Sequence, residues 1–248
     1  MTTLGTVLIT GGSRGIGAET VRALARAGYD VCFTYASRRD AAGQLVAEVL
    51  KMGRKGCCIQ ADVGHRETAM QTVERIPGEY FPLVGLVNNA GITGPLGSFL
   101  DTTPETMEAV LAVNVMGTML LSQSVVRHWR EQSRGGSIVN ISSIAAALGA
   151  PGEYVHYAAS KAAVEGFTIG LAKEIAQFDI RVNAVSPGTA LTEIHAAAGE
   201  PGRPERVAAR IPMRRAANPE EIAEAVLWLI SERSSYVTGT VLKVAGGL

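Results

Sequence analysis

Short, nearly unbroken apolar runs alternate with longer amphipathic ones from one end of the chain to the other. Residues 6–10 read TVLIT, the pattern of a strand buried on both faces. Similar runs recur at 31–35, 55–60, 83–88, 137–141, 181–185 and 240–244. Between them, apolar spacing predicts helices over 18–27, 41–52, 66–76, from Thr103-Pro104 onward, over 153–177 and over 219–230. Gly28 and Gly53 supply stops, Thr103-Pro104 an N-cap with a proline after it, and Asn218-Pro219-Glu220-Glu221 a capping signature. Regular alternation of strand and helix, with strands apolar on both faces, predicts an α/β fold of one doubly wound domain over 1–248. Its seven-stranded parallel sheet would be flanked by helices on both faces. Such sheets bind ligands at the carboxyl ends of their strands. One segment breaks the rhythm. Residues 187–213 are rich in Gly, Pro and Ala, and the stretch from about 188 to 213 reads as a lid over a site.

Composition narrows this picture. The chain has 248 residues, 47% of them hydrophobic, which suits one large domain better than two small ones. Lys and Arg number 23, as do Asp and Glu, and no long basic run exists, so neither a nucleic acid nor an anionic membrane is an expected partner. The apolar stretch 109–121 contains Asn114, Gly117 and Thr118, is short for a bilayer, and reads as a buried helix. The start MTTLGTVLIT runs straight into a strand and lacks the pattern of a secretory leader. Cys32, Cys57 and Cys58 form no CxxC, and no HExxH is present, so no metal is expected. They read as small buried hydrophobes in a reducing cytoplasm.

Chemistry enters at Thr10–Gly17, TGGSRGIG, between the first strand and the first helix. Glycines there let the backbone turn tightly and approach a phosphate, and the helix start offers free N–H groups. TGGSRGIG, NNAG at Asn88–Gly91, ISS at Ile141–Ser143, YAASK at Tyr157–Lys161 and SPG at Ser186–Gly188 occur in that order. Over nearly its whole length the chain therefore resembles the short-chain dehydrogenase/reductase family. The resemblance implies a Rossmann domain with a nicotinamide cofactor, held by Gly11, Ser13, Arg14, Gly15, Ile16 and Gly17 of the turn. It also implies Asp62 and Val63 beside the adenine, and Asn88, Asn89, Ala90 and Gly91 beside the ribose; a turn-forming role competes for Asp62, and Asn88 could equally bridge neighbouring strands. Pro187, Gly188 and Thr192 would cover the nicotinamide, while Tyr157 and Lys161 serve both cofactor and chemistry.

The second strand decides which nicotinamide is expected. NAD sites place a carboxylate at its end to bind the ribose 2′-hydroxyl. Here the chain reads Tyr35-Ala36-Ser37-Arg38-Arg39, and Asp40 lies past the turn. Guanidinium groups suit a phosphate. NADP(H) is expected, with Arg14 and Arg38 on the 2′-phosphate, Ser37 supporting and Arg39 solvated.

Reduction of a carbonyl needs a proton, and a phenol can supply it once a nearby positive charge favours its ionised form. Tyr157 and Lys161 lie four residues apart on a predicted helix and so side by side. Tyr154 is seven from Lys161, about 10 Å of helix rise, and reads as a pocket wall or packing residue. Of Ser142 and Ser143, neighbours on a strand, only one can face the site. The resemblance selects Ser143, fourteen residues before Tyr157 where many members have thirteen, with the extra residue expected in the loop 147–153. The resemblance also makes Asn114 the fourth catalytic residue, linking Lys161 to solvent through water, although a purely structural bond to backbone competes. His195 reads as a surface residue of the lid, with a substrate contact as the alternative, and His156 as pointing to another face of its helix.

An oxidoreductase acting on a small carbonyl or alcohol is therefore expected. The alternatives are a 3-oxoacyl-carrier-protein reductase and a dinucleotide-binding regulator without chemistry. Phe178 stands where carrier reductases tend to have an arginine, with Arg134 near another docking position. The run YVTGTVLKVAGG at 236–247 resembles a segment that packs across a two-fold axis in family tetramers, so a homotetramer is expected.

Overall fold

The computed structural model describes residues 3–80 and 82–248. Its seven strands form one parallel sheet: β1 (Thr6–Ile9), β2 (Asp30–Tyr35), β3 (Gly56–Gln60), β4 (Leu83–Asn88), β5 (Gly136–Ile141), β6 (Ile180–Pro187) and β7 (Val241–Val244). They lie in the order β3-β2-β1-β4-β5-β6-β7. The order reverses between β1 and β4, and a crevice opens there at the strand ends. The helices are α1 (Gly15–Arg26), α2 (Arg39–Lys51), α3 (Arg66–Gln71), α4 (Pro104–Leu111), α5 (Thr118–Glu131), α6 (Ala145–Leu148), α7 (Val155–Ile175), α8 (Ile194–Ala197), α9 (Arg203–Ala208) and α10 (Pro219–Ile230).

Successive strand residues feed opposite cores, as the pleat requires. Val7 and Ile9 join Val31, Phe33 and Val139 under α1 and α10. Leu8, between them, joins Cys32, Leu86 and Ile138 under α5 and α7. The second core holds Trp129, fully buried, whose indole Nε1 donates to the carbonyl of Leu83 at 2.7 Å. Asn88 does bridge strands, donating from Nδ2 to Asn140 Oδ1 at 2.8 Å and to Ser122 Oγ at 2.9 Å.

Two predicted elements differ. The helix expected over 66–76 ends at Gln71. The Thr72 hydroxyl donates back to the Thr68 carbonyl at 2.7 Å, and Pro77 disfavours helix at Ile76. The apolar run 109–121 is part of a longer helical rod, Pro104–Glu131, long and apolar enough by those measures to cross a bilayer. It is less buried than expected: one side meets the sheet, while Leu111 and Met116 are exposed. A π-helical segment, Ala112–Gly117, interrupts it and carries Asn114 inward.

Candidate active site and cofactor cleft

A cleft of about 780 Å³ follows the carboxyl ends of the strands from the glycine turn to the lid. Every residue singled out for the cofactor lines it, as do Ser143, Tyr157 and Lys161; Asn114 does not.

At the cofactor end the walls are backbone. Gly11 adopts a left-handed φ of 63°, and a side chain there would press on Ala90. A Cβ on Gly17 would overlap the Gly11 carbonyl and the Asn89 amide. Only glycine lets the turn and the segment after β4 approach this closely. Hydrogen bonds then fix the approach. Thr10 Oγ1 accepts from the N–H groups of Asn89 and Ala90, both at 2.9 Å, and Asn89 Nδ2 donates to the Thr10 and Gly11 carbonyls at 2.9 and 3.1 Å. α1 begins with no acidic residue in its first turn and no side-chain cap, which leaves its N–H groups for an anion. β2 ends without a carboxylate, and Ser37 and Arg38 stand exposed along the cleft while Arg39 opens α2 outside it. The close glycine cradle and the open helix start fit a dinucleotide. Asp62 lines the cleft, but its Oδ1 accepts from Gly64 N–H at 2.9 Å and its Oδ2 lies 3.2 Å from His65 Nδ1, so it also shapes its own turn. Thr192 lies directly over Gly15.

At the reactive end, α7 starts one residue after Tyr154, which takes a non-helical conformation as its N-cap. Tyr157 is buried in the first turn, and Lys161 follows one turn on, its Nζ 5.7 Å from the Tyr157 ring centre. Nζ donates to the Ile141 carbonyl at 2.7 Å, and burial lowers the lysine pKa to about 8. Ser143 lines the cleft and its Oγ accepts from Ala145 N–H at 3.2 Å. Ser142 is turned the other way, donating to Glu165 Oε1 at 2.7 Å. In the loop 147–153, α6 is followed by Gly149 and Ala150 with φ of 74° and 48°.

Two expectations, for Tyr157 and His195, need correcting. Tyr157 is not held low by Lys161: burial raises its pKa, opposed by the Ser143 hydroxyl and the Arg203 charge. Desolvation of the phenolate outweighs these stabilising contacts. Asn114 makes the structural bonds to backbone that competed with its catalytic reading. Oδ1 accepts from Ile92 N–H at 2.9 Å, and Nδ2 donates to the Ile92 carbonyl at 2.9 Å and Ser160 Oγ at 3.0 Å. It anchors the segment after β4 across Gly91 from Lys161, without touching the ammonium. His195 is buried rather than a surface residue, with Nε2 donating to the Ala190 carbonyl at 2.9 Å, and burial lowers its pKa. His156 is turned from the cleft as expected, its Nε2 donating to the Thr93 carbonyl at 2.7 Å.

An ion-pair cluster at the substrate end has no counterpart in the sequence reading. Glu153, just before α7, accepts from Arg203 Nη2 at 2.5 Å and Arg206 Nη2 at 2.8 Å, both on lid helix α9. Arg206 also pairs with Glu200 at 2.5 Å. Burial would raise the Glu153 pKa, but the two arginines outweigh it and hold the carboxyl below its usual range. These partners lie 50 or more residues apart, and no local motif marks them.

The geometry agrees with what similar proteins show. A family model described as enoyl-(acyl carrier protein) reductase matches residues 11–248. An uncharacterized oxidoreductase of Escherichia coli, YgfF, is 43% identical over 97% of this chain and 98% of its own length. This chain belongs to the short-chain dehydrogenase/reductase family. It is thus an oxidoreductase with the family's Rossmann-like fold and a site for a nicotinamide cofactor. Among other members, the 3-oxoacyl-[acyl-carrier-protein] reductase FabG of Thermotoga maritima is 40% identical, over 97% of this chain and 96% of its own. A solved short-chain dehydrogenase from Burkholderia cenocepacia, in complex with NADP, superposes with a TM-score of 0.91 at 33% identity, over 99% of this chain and 98% of that one.

Proposed function

We propose that this short-chain dehydrogenase/reductase interconverts a small carbonyl compound and its alcohol with NADP(H), and that Tyr157 transfers the proton. The observation that carries this reading is the convergence of Ser143, Tyr157 and Lys161 in one cleft continuous with the glycine turn. Arg14, Ser37 and Arg38 along that cleft, and the missing carboxylate at the end of β2, support a ribose 2′-phosphate and hence NADP(H). The NADP found with the Burkholderia relative is in keeping with this.

When bound, the nicotinamide supplies or accepts the hydride. The chain supplies the rest. Ser143 Oγ orients the carbonyl by hydrogen bonding to its oxygen, and the Tyr157 hydroxyl gives that oxygen a proton as negative charge develops. Lys161, held on the Ile141 carbonyl, keeps a positive charge within one helical turn of the phenol. Asn114 holds the Ile92 backbone and so keeps the wall opposite Lys161 in register. In the reverse direction the same groups act in reverse, with the tyrosinate as base. Following NADPH absorbance against a panel of ketones and aldehydes tests the reading; NADH supporting turnover as well as NADPH would contradict the cofactor assignment.

One observation favours 3-oxoacyl-carrier-protein reduction as a second reading. Phe178 lacks the expected positive charge, but the Arg130 guanidinium lies 3.4 Å from its ring centre and returns a cation to that place. Comparing a carrier-linked 3-oxoacyl substrate with the same acyl group on a short thiol separates the two. We also propose a homotetramer. The exposed apolar side chains of Leu111 and Met116 on the α4–α5 rod support burial against another copy, and a monomer by light scattering would contradict it. The free thiols of Cys32, Cys57 and Cys58 suit a reducing cytoplasm, the compartment we propose.

A further inference from the structure

Between lid and active site runs an unbroken chain of contacts. Arg203, the first residue of α9, donates from Nε and Nη2 to Glu153 Oε2 at 3.1 and 2.5 Å. Its side chain is only 11% exposed, and that of Glu153 20%. The same guanidinium stands 5.2 Å from the centre of the Tyr154 ring. Tyr154 in turn meets Tyr157 edge to face, with centres 5.1 Å apart and planes at 83°. Arg206 braces the arrangement by sharing Glu153 and holding Glu200.

We propose that Arg203 is a positioning residue that couples seating of the lid to proton transfer at Tyr157. Stability alone gives little reason for the pair. Desolvating two charges offsets much of their attraction, and apolar side chains would close a lid as well. What an arginine adds is a positive charge aimed, through an aromatic face, at a buried phenol. The other groups around Tyr157 leave room for that charge to matter. Lys161, on the same helix, is turned to the Ile141 carbonyl, and burial lowers its pKa. Ser143, from the end of β5, is uncharged, as are Ile92 and Thr93 from the segment after β4. Tyr154 holds its own proton tightly because it is buried. Glu153 is opposite in sign but is bonded by both arginines. Arg203 is the lid cation that opposes the effect of burial on Tyr157. With the lid lifted, that charge would leave and Tyr157 would be a poorer acid.

The proposal rests on Tyr157 being the proton-transfer group, so its test needs a readout independent of turnover. Full-length protein carrying 13Cζ-tyrosine is titrated by NMR, with Tyr157 assigned by its loss in Tyr157→Phe. Relative to wild type, Arg203→Gln should move the Tyr157 titration toward higher pH by about one unit, and Arg203→Lys should restore most of the difference. Glu153→Gln, which keeps the charge but releases it, should give a smaller shift the same way. In ketone reduction, Arg203→Gln should lower kcat about tenfold with little change in KM, and its pH profile should move alkaline with the NMR titration. A folded Arg203→Gln protein whose Tyr157 titration is unmoved would overturn the proposal, whatever its activity. If Arg203→Gln does not fold, an unmoved titration in Glu153→Gln decides against it equally. Wild type that reduces no ketone with NADPH would instead sink the functional reading, a result the NMR titration tells apart.

Discussion

Where the cleft meets the glycine turn, its walls are main chain; where it meets the lid, they are ion pairs between distant side chains. The first half is fixed by Gly11, Gly17, Thr10 and Asn89, whose close approach tolerates no added atom. The second is held by Glu153 with Arg203 and Arg206, which water and pH can reach. Backbone walls suit a ligand that is the same in every turnover. Side-chain walls can move aside for a substrate and can differ between relatives without disturbing the sheet. The fold thus separates what must be constant from what sets choice.

Substitutions on either side should expose this division. Among residues other than Tyr157, Ser143→Ala should cost most, lowering kcat by about 10²- to 10³-fold with NADPH affinity retained; stopped-flow turnover and fluorescence titration check both. Gly17→Ala should strike the backbone half, costing about 1–3 kcal/mol in stability and weakening NADPH binding, while a polar change at Arg206 on α9 leaves that binding untouched. Calorimetry with cofactor titration would show it. Arg38→Ala should weaken NADPH about tenfold and leave NADH unchanged. An equal loss for both cofactors would mean that Arg38 is not on the 2′-phosphate.

Acid should separate the halves most gently. Glu153 has a lowered pKa in the folded protein, so its contribution to lid closure is complete above its ordinary value of 4.5 and is lost as the pH falls through the lower, folded one. Limited proteolysis should therefore begin in the lid, 188–213, at acid pH while the glycine turn stays protected. In Glu153→Gln the same cleavage should appear at neutral pH.

The same division explains what could be read from the sequence. The strands, the glycine turn and the Tyr157–Lys161 spacing were legible because each is dictated within a few residues, by φ, by pleat or by helical period. Glu153 with Arg203 was not, since it is a contact across 50 residues made by an irregular segment. His195 was misread for the same reason: its burial depends on how the lid folds back, not on its neighbours in sequence. The raised pKa of Tyr157 was hidden too. Spacing shows that a lysine is near, but not that its ammonium turns to the Ile141 carbonyl or how completely the phenol is buried. The sequence marks Asn114, but its bonds to Ile92, made from a π-helical segment, are not legible in spacing.

The proposed chemistry requires Tyr157 rather than Tyr154 to be the proton donor. Both are buried, both sit at the start of α7, and their rings touch. Measuring kcat for Tyr157→Phe and Tyr154→Phe side by side, with NADPH affinity in each, decides between them. The expected result is a loss of about 10²- to 10⁴-fold for Tyr157→Phe with NADPH still bound, and a change within about threefold for Tyr154→Phe. Equal losses in the two variants would contradict it.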